Sequence, residues 1–562
     1  MSEPGRSPEL AAFVAPNDPQ DRLVTAPHWW RGAAIYQVYV RSFCDGNGDG
    51  RGDFIGLMSK LDYIKSLGMD AIWLSPIHPS PNRDWGYDVS DYEGVHPDYG
   101  LLEDFHRLVE AAHARGLKII LDEVLAHTSD EHAWFAASRD GEAAKKDWYV
   151  WAPPKEDGTA PNNWLSVFGG PAWSYQPARQ QYYHHKFLRQ QPKLNWMNGT
   201  AREAALKVLD LWLERGVDGY RLDVANAFLH DTQLRDNPAI PGVDRGPAEW
   251  SAAANMQRHL QDSNLEENRA VLDLIRRRVD AFDNRFVFGE FSEEFERSGC
   301  YLPPEQGLHA GYNFALLLAT DAAAILAHLE TLAKFPGHWP CIAFSNHDVI
   351  RTATRFGRSD GQASATQPSS ARPNNEAAKV MLALLCSLRG TMLLYQGEEL
   401  GLPEVALRRD QLKDPVGDLY YPLFKGRDGC RTPMPWDAHL PNLGFSSAPP
   451  WLPLGREHLA LAVSEQERDR GSTLNVFRAM MHERMTIAAF RTGDLKLLDA
   501  PLPLIAFTRG DEVLCVFNLG PDAMRWTVPA GARSRAFLCP GQTSQEGDIL
   551  TLSPFSAWFG AL

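Results

Sequence analysis

Short apolar segments rich in β-branched residues alternate with amphipathic segments along most of the chain after Trp29. The apolar segments have the length of buried strands, and those between them have helical periodicity, as in Glu103–Arg115 and Glu376–Leu388. The predicted strands are Ala34–Val40, Asp70–Leu74, Leu117–Asp122, Val217–Asp223, Phe286–Glu290, Gly311–Phe314, Cys341–Asn346 and Thr391–Gln396. Strands that alternate with helices form parallel βαβ units, and eight such strands close a barrel. The pattern therefore predicts an α/β fold, the (β/α)8 TIM barrel.

Two parts of the chain depart from this alternation. About eighty residues rich in Trp, Tyr, Pro and Asn separate Asp122 from the helix near Arg202, far more than an ordinary βα loop contains. We therefore predict a subdomain inserted after strand three. After the helix Asn475–Arg491, short alternating segments predict an antiparallel β domain. The predicted organisation is an N-terminal arm (1–28), the barrel (29–122 and 197–491), the inserted subdomain (123–196) and a C-terminal β-sandwich (492–562).

Composition narrows the classes of function. At 562 residues the chain is long enough for two or three domains. A net charge of −15 argues against nucleic acid and anionic membrane as partners. The seven cysteines are scattered, the N-terminus lacks a signal-peptide pattern, and no run of about 18 apolar residues occurs. We therefore expect a cytoplasmic protein without membrane association. The sequence leaves open whether it is a monomer or a homodimer.

Charged side chains collect where the predicted strands end. They are Asp122 and His127 after strand three, Arg221 and Asp223 on strand four, Glu290 on strand five, and His347 and Asp348 after strand seven. In a parallel barrel these ends share one rim, where catalytic groups lie. A single acid there is usually a helix cap or loop anchor, but several carboxylates on one rim repel one another. The arrangement favours a reaction that builds positive charge, as glycoside cleavage does in its transition state.

Arg221 and Asp223 stand two positions apart in the segment Gly219–Val224. Because side chains alternate along a strand, both point to the same side. The arginine can then keep the carboxylate ionised, as a nucleophile requires. A purely structural ion pair explains the same two residues, and this segment alone does not decide between the two interpretations.

The chain contains, in this order, the segments Ala71–Pro76, Trp85–Val89, Gly219–Val224, Gly289–Glu290, Asn346–Asp348, Leu393–Glu399 and Gly426–Trp436. The first five resemble signature sequences of the α-amylase family of glycoside hydrolases. The last two are similar to its α-glucosidase and oligo-1,6-glucosidase branch. The resemblance extends over residues 29–560 and implies an enzyme that acts on small oligosaccharides.

The resemblance also implies a double-displacement mechanism. Asp223 matches the nucleophile, Glu290 matches the general acid/base, and Asp348 matches the third carboxylate, which stabilises the distorted sugar. Two successive inversions at the anomeric carbon give net retention. Glu290 must therefore carry a proton in the first step.

A further set of residues matches those that hold the sugar in relatives. They are His127, Arg221 and His347 around the non-reducing glucose, Tyr87 beneath its ring, Asp88 and Arg427 at its terminal 4-hydroxyl, and Phe168 and Phe187 as further pocket walls. In exo-acting members the pair matched by Asp88 and Arg427 closes the pocket behind one glucose. The resemblance therefore implies exo action.

The segment Asp45–Asp53 places oxygen-bearing side chains at alternate positions with glycine between them, as a hard cation such as Ca²⁺ requires. An EF-hand is rejected, because its twelfth position would be Gly56 and no flanking helix pair is apparent. A solvated acidic turn is the alternative. The segment resembles the single calcium site of the oligo-1,6-glucosidase branch, which implies a structural Ca²⁺ held by Asp45, Asn47, Asp49, Asp53 and the carbonyl of Arg51.

The family pattern gives conflicting indications of the glycosidic linkage. Val224 resembles the residue that follows the nucleophile in α-1,6-specific relatives, whereas Asn346–Val349 and Lys425–Trp436 resemble bacterial α-glucosidases that act on α-1,4 linkages. We expect a broad α-glucosidase with some transglucosylation. The alternatives are an oligo-1,6-glucosidase, a sucrose- or trehalose-acting glucosyl transfer enzyme, and a sugar-binding protein without turnover.

Overall fold

A computed structural model of the protein describes residues 28–240, 256–292, 299–303, 306–357 and 374–562. Residues 1–27 of the predicted N-terminal arm lie outside these ranges. The strands, numbered in chain order, are β1 Ala34–Val38, β2 Ala71–Leu74, β3 Lys118–Glu123, β4 Trp151–Ala152, β5 Trp173–Gln176, β6 Gln181–His184, β7 Gly219–Leu222, β8 Phe286–Phe291, β9 Ala310–Asn313, β10 Cys341–Ile342, β11 Thr391–Tyr395, β12 Leu495–Leu498, β13 Leu504–Arg509, β14 Val513–Asn518, β15 Met524–Thr527, β16 Arg533–Ser534, β17 Thr543–Glu546, β18 Ile549–Leu552 and β19 Ser556–Ala561.

The helices lie mainly between the barrel strands and on the outer face of the barrel. They are Phe54–Met58, Leu61–Ser66, Leu102–His113, Ala133–Arg139, Gly199–Glu214, Asn268–Asp280, Phe314–Leu318, Ala322–Ala333, Thr352–Phe356, Asn375–Ser387, Pro415–Tyr420, Val463–Gln466, Thr473–Thr486 and Ala488–Thr492. Side-chain oxygens cap the N-termini of several of these helices. Asn198 and Asn374, for example, each accept two backbone N–H groups of the first turn of the helix that follows. These caps satisfy donors that a helix leaves without an intrahelical partner.

Eight parallel strands form the central sheet in the order β10-β11-β1-β2-β3-β7-β8-β9. A parallel bridge between Gly311 of β9 and Pro340, just before β10, joins the two edges and completes the ring. Buried side chains such as Ile35, Trp73 and Phe288 fill its interior, because strands covered on both faces are apolar throughout. The predicted TIM barrel is confirmed, and each of the eight predicted strands is present.

The inserted segment after β3 contains a small antiparallel sheet in the order β4-β6-β5. Trp164 and Trp173 are buried in a separate core beside it. A backbone bridge between His127 and Lys193 holds this segment beside the end of β3. The predicted boundaries of this subdomain, 123 and 196, remain a prediction.

The C-terminal region forms two antiparallel sheets, β12-β13-β14-β19-β16 and β15-β18-β17. Residues of both sheets, including Val516, Leu550 and Trp558, share one buried core. This architecture confirms the predicted C-terminal antiparallel domain. None of the six cysteines whose side chains the structure describes forms a disulfide. Among the helices within the described ranges, none has the length and apolar character needed to cross a bilayer.

Candidate active site

The loop after β7 is held by two neighbouring strands. The backbone N–H of Asp223 donates to the carbonyl of Glu123, 3.1 Å away, and the N–H of Ala225 donates to the carbonyl of Glu290, 2.9 Å away. Between them Val224 has φ +39°, in the left-handed region that β-branched residues rarely adopt. Such backbone strain persists only where the surroundings determine the conformation. The loop is therefore a fixed platform that presents the Asp223 carboxylate at the rim of the barrel.

Arg221 is a fully buried cation surrounded by carboxylates. Its Nη1 donates to Asp122, at 2.6 Å, and to Asp223, at 2.8 Å. Its Nη2 contacts the Glu290 carboxylate. The Tyr312 hydroxyl accepts from Arg221 at 3.2 Å and donates to Glu290 at 3.0 Å. Because one guanidinium reaches both Asp223 and Glu290, these two carboxyls lie close together on the same rim.

The carboxyls at this rim differ in their electrostatic surroundings. Burial raises the pKa of Asp223, and the Arg221 guanidinium opposes the rise. Burial also raises the pKa of Asp122, to about 7. Burial favours a raised pKa at Asp348 as well, but His347 and three arginines outweigh it and lower the pKa of that group. The rim thus contains one carboxylate that remains ionised and others that hold protons more readily.

His347 lies at the base of this network and is neutral. Burial lowers its pKa to about 3, so at neutral pH the arginines supply the positive charge beside Asp348. The Gln37 amide nitrogen lies 2.7 Å from Nδ1, and the Tyr87 hydroxyl lies 2.5 Å from Nε2. The Tyr87 and His347 rings stack with centroids 5.2 Å apart, and the Tyr87 hydroxyl donates to Asp122 at 3.0 Å. Both rings therefore belong to the same cluster as the carboxylates.

Arg427 also adjoins Asp348. Its Nη1 lies 3.3 Å from Oδ1 of Asp348, and its Nη2 donates to Asp84 at 2.6 Å and to Asp414 at 2.9 Å. Asp88 is not among its partners, since both Asp88 oxygens accept hydrogen bonds from residues 80–84. The predicted Asp88–Arg427 pair is wrong, because Asp84 occupies that place.

Gln191 connects the inserted segment to the barrel rim. Its Nε2 donates to Asp84 at 3.0 Å and to the carbonyl of Tyr87 at 3.2 Å. It also lies 3.3 Å from Nε2 of His127, which itself hydrogen-bonds the Tyr87 carbonyl at 2.9 Å. Burial lowers the pKa of His127, which favours a neutral ring. His127 therefore contributes hydrogen bonding at this rim rather than a fixed charge.

Phe168 and Phe187 line the space between His127 and Arg427. The ring of Phe187 lies 5.5 Å from that of His127 and 5.4 Å from that of Phe168. The Arg427 guanidinium lies 5.2 Å from the centre of the Phe168 ring, a cation–π distance. The structure thus brings the predicted aromatic walls to the same rim as the carboxylates.

The candidate calcium loop is closed by its own hydrogen bonds. Asp45 accepts hydrogen bonds from three backbone N–H groups of the loop. Asp53 accepts hydrogen bonds from two backbone N–H groups of the loop and from the N–H of Gly56. Asn47 and Asp49 each accept one, the latter from Arg51. Within the described ranges, no group of three His, Cys, Asp or Glu side chains is placed to hold a metal. The donor chemistry suits Ca²⁺ and the carboxylates have further lone pairs, so the predicted ligand set remains a prediction.

Several residues of the site were not singled out from the sequence. They are Asp84, Gln191, Tyr312, Asp414 and Arg431, whose Nη2 lies 2.9 Å from Asp348. Tyr312 lies inside the predicted strand Gly311–Phe314 and inside the observed strand Ala310–Asn313, so the rule for strand ends did not mark it. Asp414 lies in the long excursion after β11 as the N-cap of the helix Pro415–Tyr420. That local pattern predicts a helix cap and not a contact with Arg427.

This arrangement of carboxylates at the rim of a TIM barrel is that of a glycoside hydrolase. Residues 37–493 match the family model described as the catalytic domain of α-amylase. The match covers most of the 562 residues. The chain belongs to the α-amylase family.

Relatives narrow the class of substrate. A probable α-glucosidase of Rhizobium meliloti (strain 1021) is 45% identical over 89% of this chain and 91% of its own length. An oligo-1,6-glucosidase of Heyndrickxia coagulans is 33% identical over 89% of this chain and 94% of its own length. The crystal structure of the α-glucosyl transfer enzyme XgtA is 44% identical, covers 95% of this chain and 99% of its own, and superposes with a TM-score of 0.89. The protein is thus an α-glucoside hydrolase or transferase.

Proposed function

We propose that the protein is an exo-acting, retaining α-glucosidase that releases α-glucose from the non-reducing end of short, maltose-like oligosaccharides. The observation that supports this best is the contact of one guanidinium, that of Arg221, with the carboxyls of both Asp223 and Glu290. Retaining enzymes need two carboxyls about 5–5.5 Å apart, whereas inverting enzymes leave room for a water between them. A shared guanidinium favours the shorter separation.

In the proposed mechanism Asp223 attacks the anomeric carbon and forms a glucosyl ester, while Glu290 gives its proton to the leaving glycosidic oxygen. Glu290, now a carboxylate, then takes a proton from water as that water attacks the anomeric carbon. The bond from this carbon to the Asp223 oxygen breaks, and Asp223 leaves as a carboxylate. Each attack inverts the anomeric carbon, so the released glucose has the α configuration. A sugar hydroxyl in place of water completes a transfer by the same two steps.

Asp348 is suited to stabilise the positive charge that develops on the sugar. Its pKa is lowered, so it is anionic throughout the working pH range. With a side chain 20% exposed, against 10% for Asp223 and 7% for Glu290, it is the most open of the three carboxyls. The Tyr87 ring lies beside it and offers an apolar face for the sugar to stack on.

The Asp84–Arg427 pair supports exo action. A buried ion pair that also contacts Asp348 offers both a donor and an acceptor at one end of the sugar site. Such groups bind the hydroxyls of a terminal glucose and block a longer chain from passing beyond it. Asp84 thus takes the role that the sequence resemblance gave to Asp88.

A second candidate is an oligo-1,6-glucosidase. It is favoured by Val224, the buried residue directly after the proposed nucleophile, and by relatives that carry this name. A third candidate, a glucosyl transfer enzyme, is favoured by the similarity to XgtA. All three use the same carboxylates and differ in the acceptor and in how well water is excluded from the ester.

The test is to follow the hydrolysis of an aryl α-glucoside, which releases a single glucose, by proton NMR within the first minutes. We expect the α anomer of glucose to appear first and to mutarotate to the β anomer later. Initial rates on maltose, isomaltose, sucrose, trehalose and nigerose then rank the three candidates, and a new disaccharide measures transfer. If β-glucose is released first, or if no α-glucoside is cleaved, the proposed function is wrong.

We also propose that the loop Asp45–Asp53 binds a structural Ca²⁺. A ligand that binds only the folded chain raises its stability by RT ln(1 + [L]/Kd). We therefore expect about 1 mM Ca²⁺ to raise the Tm above that in EGTA, by several degrees if Kd is micromolar. Asp49→Asn should abolish this difference. Asp157→Asn, which alters a similar exposed turn outside the loop, should preserve it. Equal Tm values of the wild type with Ca²⁺ and with EGTA would show that the loop is only a hydrogen-bonded turn.

A further inference from the structure

We propose that Asp88 is a positioning residue that holds Asp84 against Arg427. This inference rests on the proposed function, in which the Asp84–Arg427 pair binds the hydroxyls of the terminal glucose. Asp88 itself touches neither Arg427 nor the catalytic carboxyls. It acts through the backbone of the loop that carries Asp84.

The Asp88 carboxylate is fully buried and serves as the internal anchor of this loop. Its Oδ1 accepts from the Ser80 hydroxyl at 2.8 Å and from the backbone N–H of Asp84 at 3.0 Å. Its Oδ2 accepts from the backbone N–H of Arg83 at 2.9 Å. Hydrogen bonds from N–H groups to a buried carboxylate are strong, and their loss leaves a buried donor without a partner. The position of Asp84 therefore depends directly on the carboxylate of Asp88.

The loop needs such an anchor because its backbone is strained on both sides of Asp84. Asn82 has φ +60° and Trp85 has φ +48°, both in the left-handed region. Asn adopts that region readily, but a bulky aromatic residue rarely does. A strained conformation of this kind persists only where surrounding contacts determine it. Without those contacts the loop would relax and carry Asp84 away from Arg427.

Arg41 provides a second and independent hold on the same two strained residues. Its guanidinium lies 5.2 Å from the centre of the Trp85 ring, and its Nη2 lies 3.4 Å from Oδ1 of Asn82. Asp98 fixes the guanidinium through a 2.5 Å hydrogen bond. The Trp85 indole N–H in turn donates to the carbonyl of Lys413 at 2.8 Å. The loop is thus held from inside by a buried anion and from outside by a buried cation.

This arrangement has a defined kinetic consequence. Asp84 divides its two oxygens between Arg427 and Gln191, so a shift of its backbone weakens both contacts. The contacts of Arg221 with Asp223 and Glu290 do not involve Asp84. Tyr87, the residue of this loop that does reach the cluster, is held separately by Asp122 and His347. Loss of the anchor should therefore weaken substrate binding more than it slows the chemical steps.

The experiment is a double-mutant cycle between Asp88→Asn and Asp84→Asn, with KM and kcat measured on maltose. In Asp88→Asn the amide nitrogen replaces one acceptor, so a backbone N–H faces another donor. We expect about a tenfold rise in KM with kcat within about threefold. In the Asp84→Asn background Asp88→Asn should change KM by less than about twofold, because residues that act through one another are not additive.

Three further variants complete the test. Arg41→Met should raise KM in the same way, and Arg41→Lys should restore part of the loss because the positive charge remains. Asp218→Asn is the matched control, since Asp218 is also buried and accepts a backbone N–H, that of Ile119 at 2.9 Å. It lies before β7 at the opposite end of the barrel, and its replacement should leave KM unchanged.

The outcomes separate the inference from the proposed function. Suppose that Asp84→Asn raises KM. If Asp88→Asn leaves KM unchanged, or if the effects of the two substitutions on KM multiply in the double variant, the inference is wrong and the proposed pocket stands. A rise in KM in Asp218→Asn equal to that in Asp88→Asn would also overturn the inference, since it would show a general effect of destabilisation. If Asp84→Asn leaves KM unchanged, the proposed sugar site itself is wrong, and the inference is wrong with it.

Discussion

Asp223→Asn is expected to lower kcat by at least about 10⁴-fold, because the amide cannot form the glucosyl ester. The fold should survive. Burial raises the pKa of Asp223 above its value in the unfolded chain. A carboxyl shifted in this direction contributes stability below its unfolded pKa and loses it as pH rises through the folded pKa. At neutral pH the neutral Asn side chain should therefore leave the Tm unchanged or raise it.

Azide distinguishes the role of Asp223 from that of Glu290. The substrate is an aryl α-glucoside whose leaving group needs no acid. In Asp223→Ala, azide should occupy the space of the missing carboxylate and attack the anomeric carbon in a single step. The product should then be β-glucosyl azide. In Glu290→Ala the ester still forms and azide attacks it in a second step, so the product should be α-glucosyl azide. Proton NMR identifies each anomer.

The control for both variants is the circular dichroism spectrum and Tm of the wild type. Near-wild-type kcat in either variant would contradict the assignment of that residue. The same azide anomer from both variants would contradict the two-step mechanism.

The fold was predictable because each barrel strand is buried on both faces and appears as a continuous apolar segment. The ends of the strands were less predictable. The segment Cys341–Asn346 was predicted as one strand, but regular pairing covers only Cys341–Ile342. The rest of it leaves the sheet before His347 and Asp348. The Phe344 carbonyl accepts from the Thr352 hydroxyl at 3.0 Å, a contact that the strand pattern does not encode.

The catalytic carboxyls were predictable as acids at strand ends, but their partners were not. Asp84 and Asp88 lie in one short segment, and which of them faces Arg427 depends on the left-handed residues Asn82 and Trp85. Propensity gives no reason to expect a left-handed Trp. Gln191 comes from the inserted segment, more than one hundred positions away from Asp84. Contacts of that kind arise from tertiary packing, which leaves no local pattern in the sequence.

Arg221→Met should have the largest effect on stability. The side chain is fully buried and contacts three carboxyls, those of Asp122, Asp223 and Glu290. Methionine has a similar length but no charge, so these groups would remain buried without their cation. Removing one partner of a buried ion pair costs about 3–5 kcal/mol, far more than the pair contributes over an apolar substitute. We expect a clear drop in Tm together with loss of kcat.

The pH dependence identifies the cause of that drop. Burial already raises the pKa of Asp122 to about 7 with Arg221 in place, and removal of a nearby positive charge raises it further. A carboxyl whose pKa is higher in the folded than in the unfolded protein stabilises the fold at low pH. This contribution is lost as the pH rises from the unfolded pKa, near 4, through the folded pKa. The Tm deficit of Arg221→Met should therefore be small near pH 5 and large near pH 8.

Second-site variants make this prediction specific to the carboxyls. Adding Asp122→Asn to Arg221→Met removes one of the unpaired anions and should recover part of the Tm at pH 8, without recovery of kcat. Arg221→Lys keeps the charge but cannot reach several carboxyls with a planar fork, so its Tm should lie between that of Arg221→Met and that of the wild type. A deficit that is equal at both pH values and unchanged by Asp122→Asn would mean that packing, not charge, makes Arg221 necessary. In that case the cluster at the rim would not depend on a central cation to hold Asp223 and Glu290 side by side.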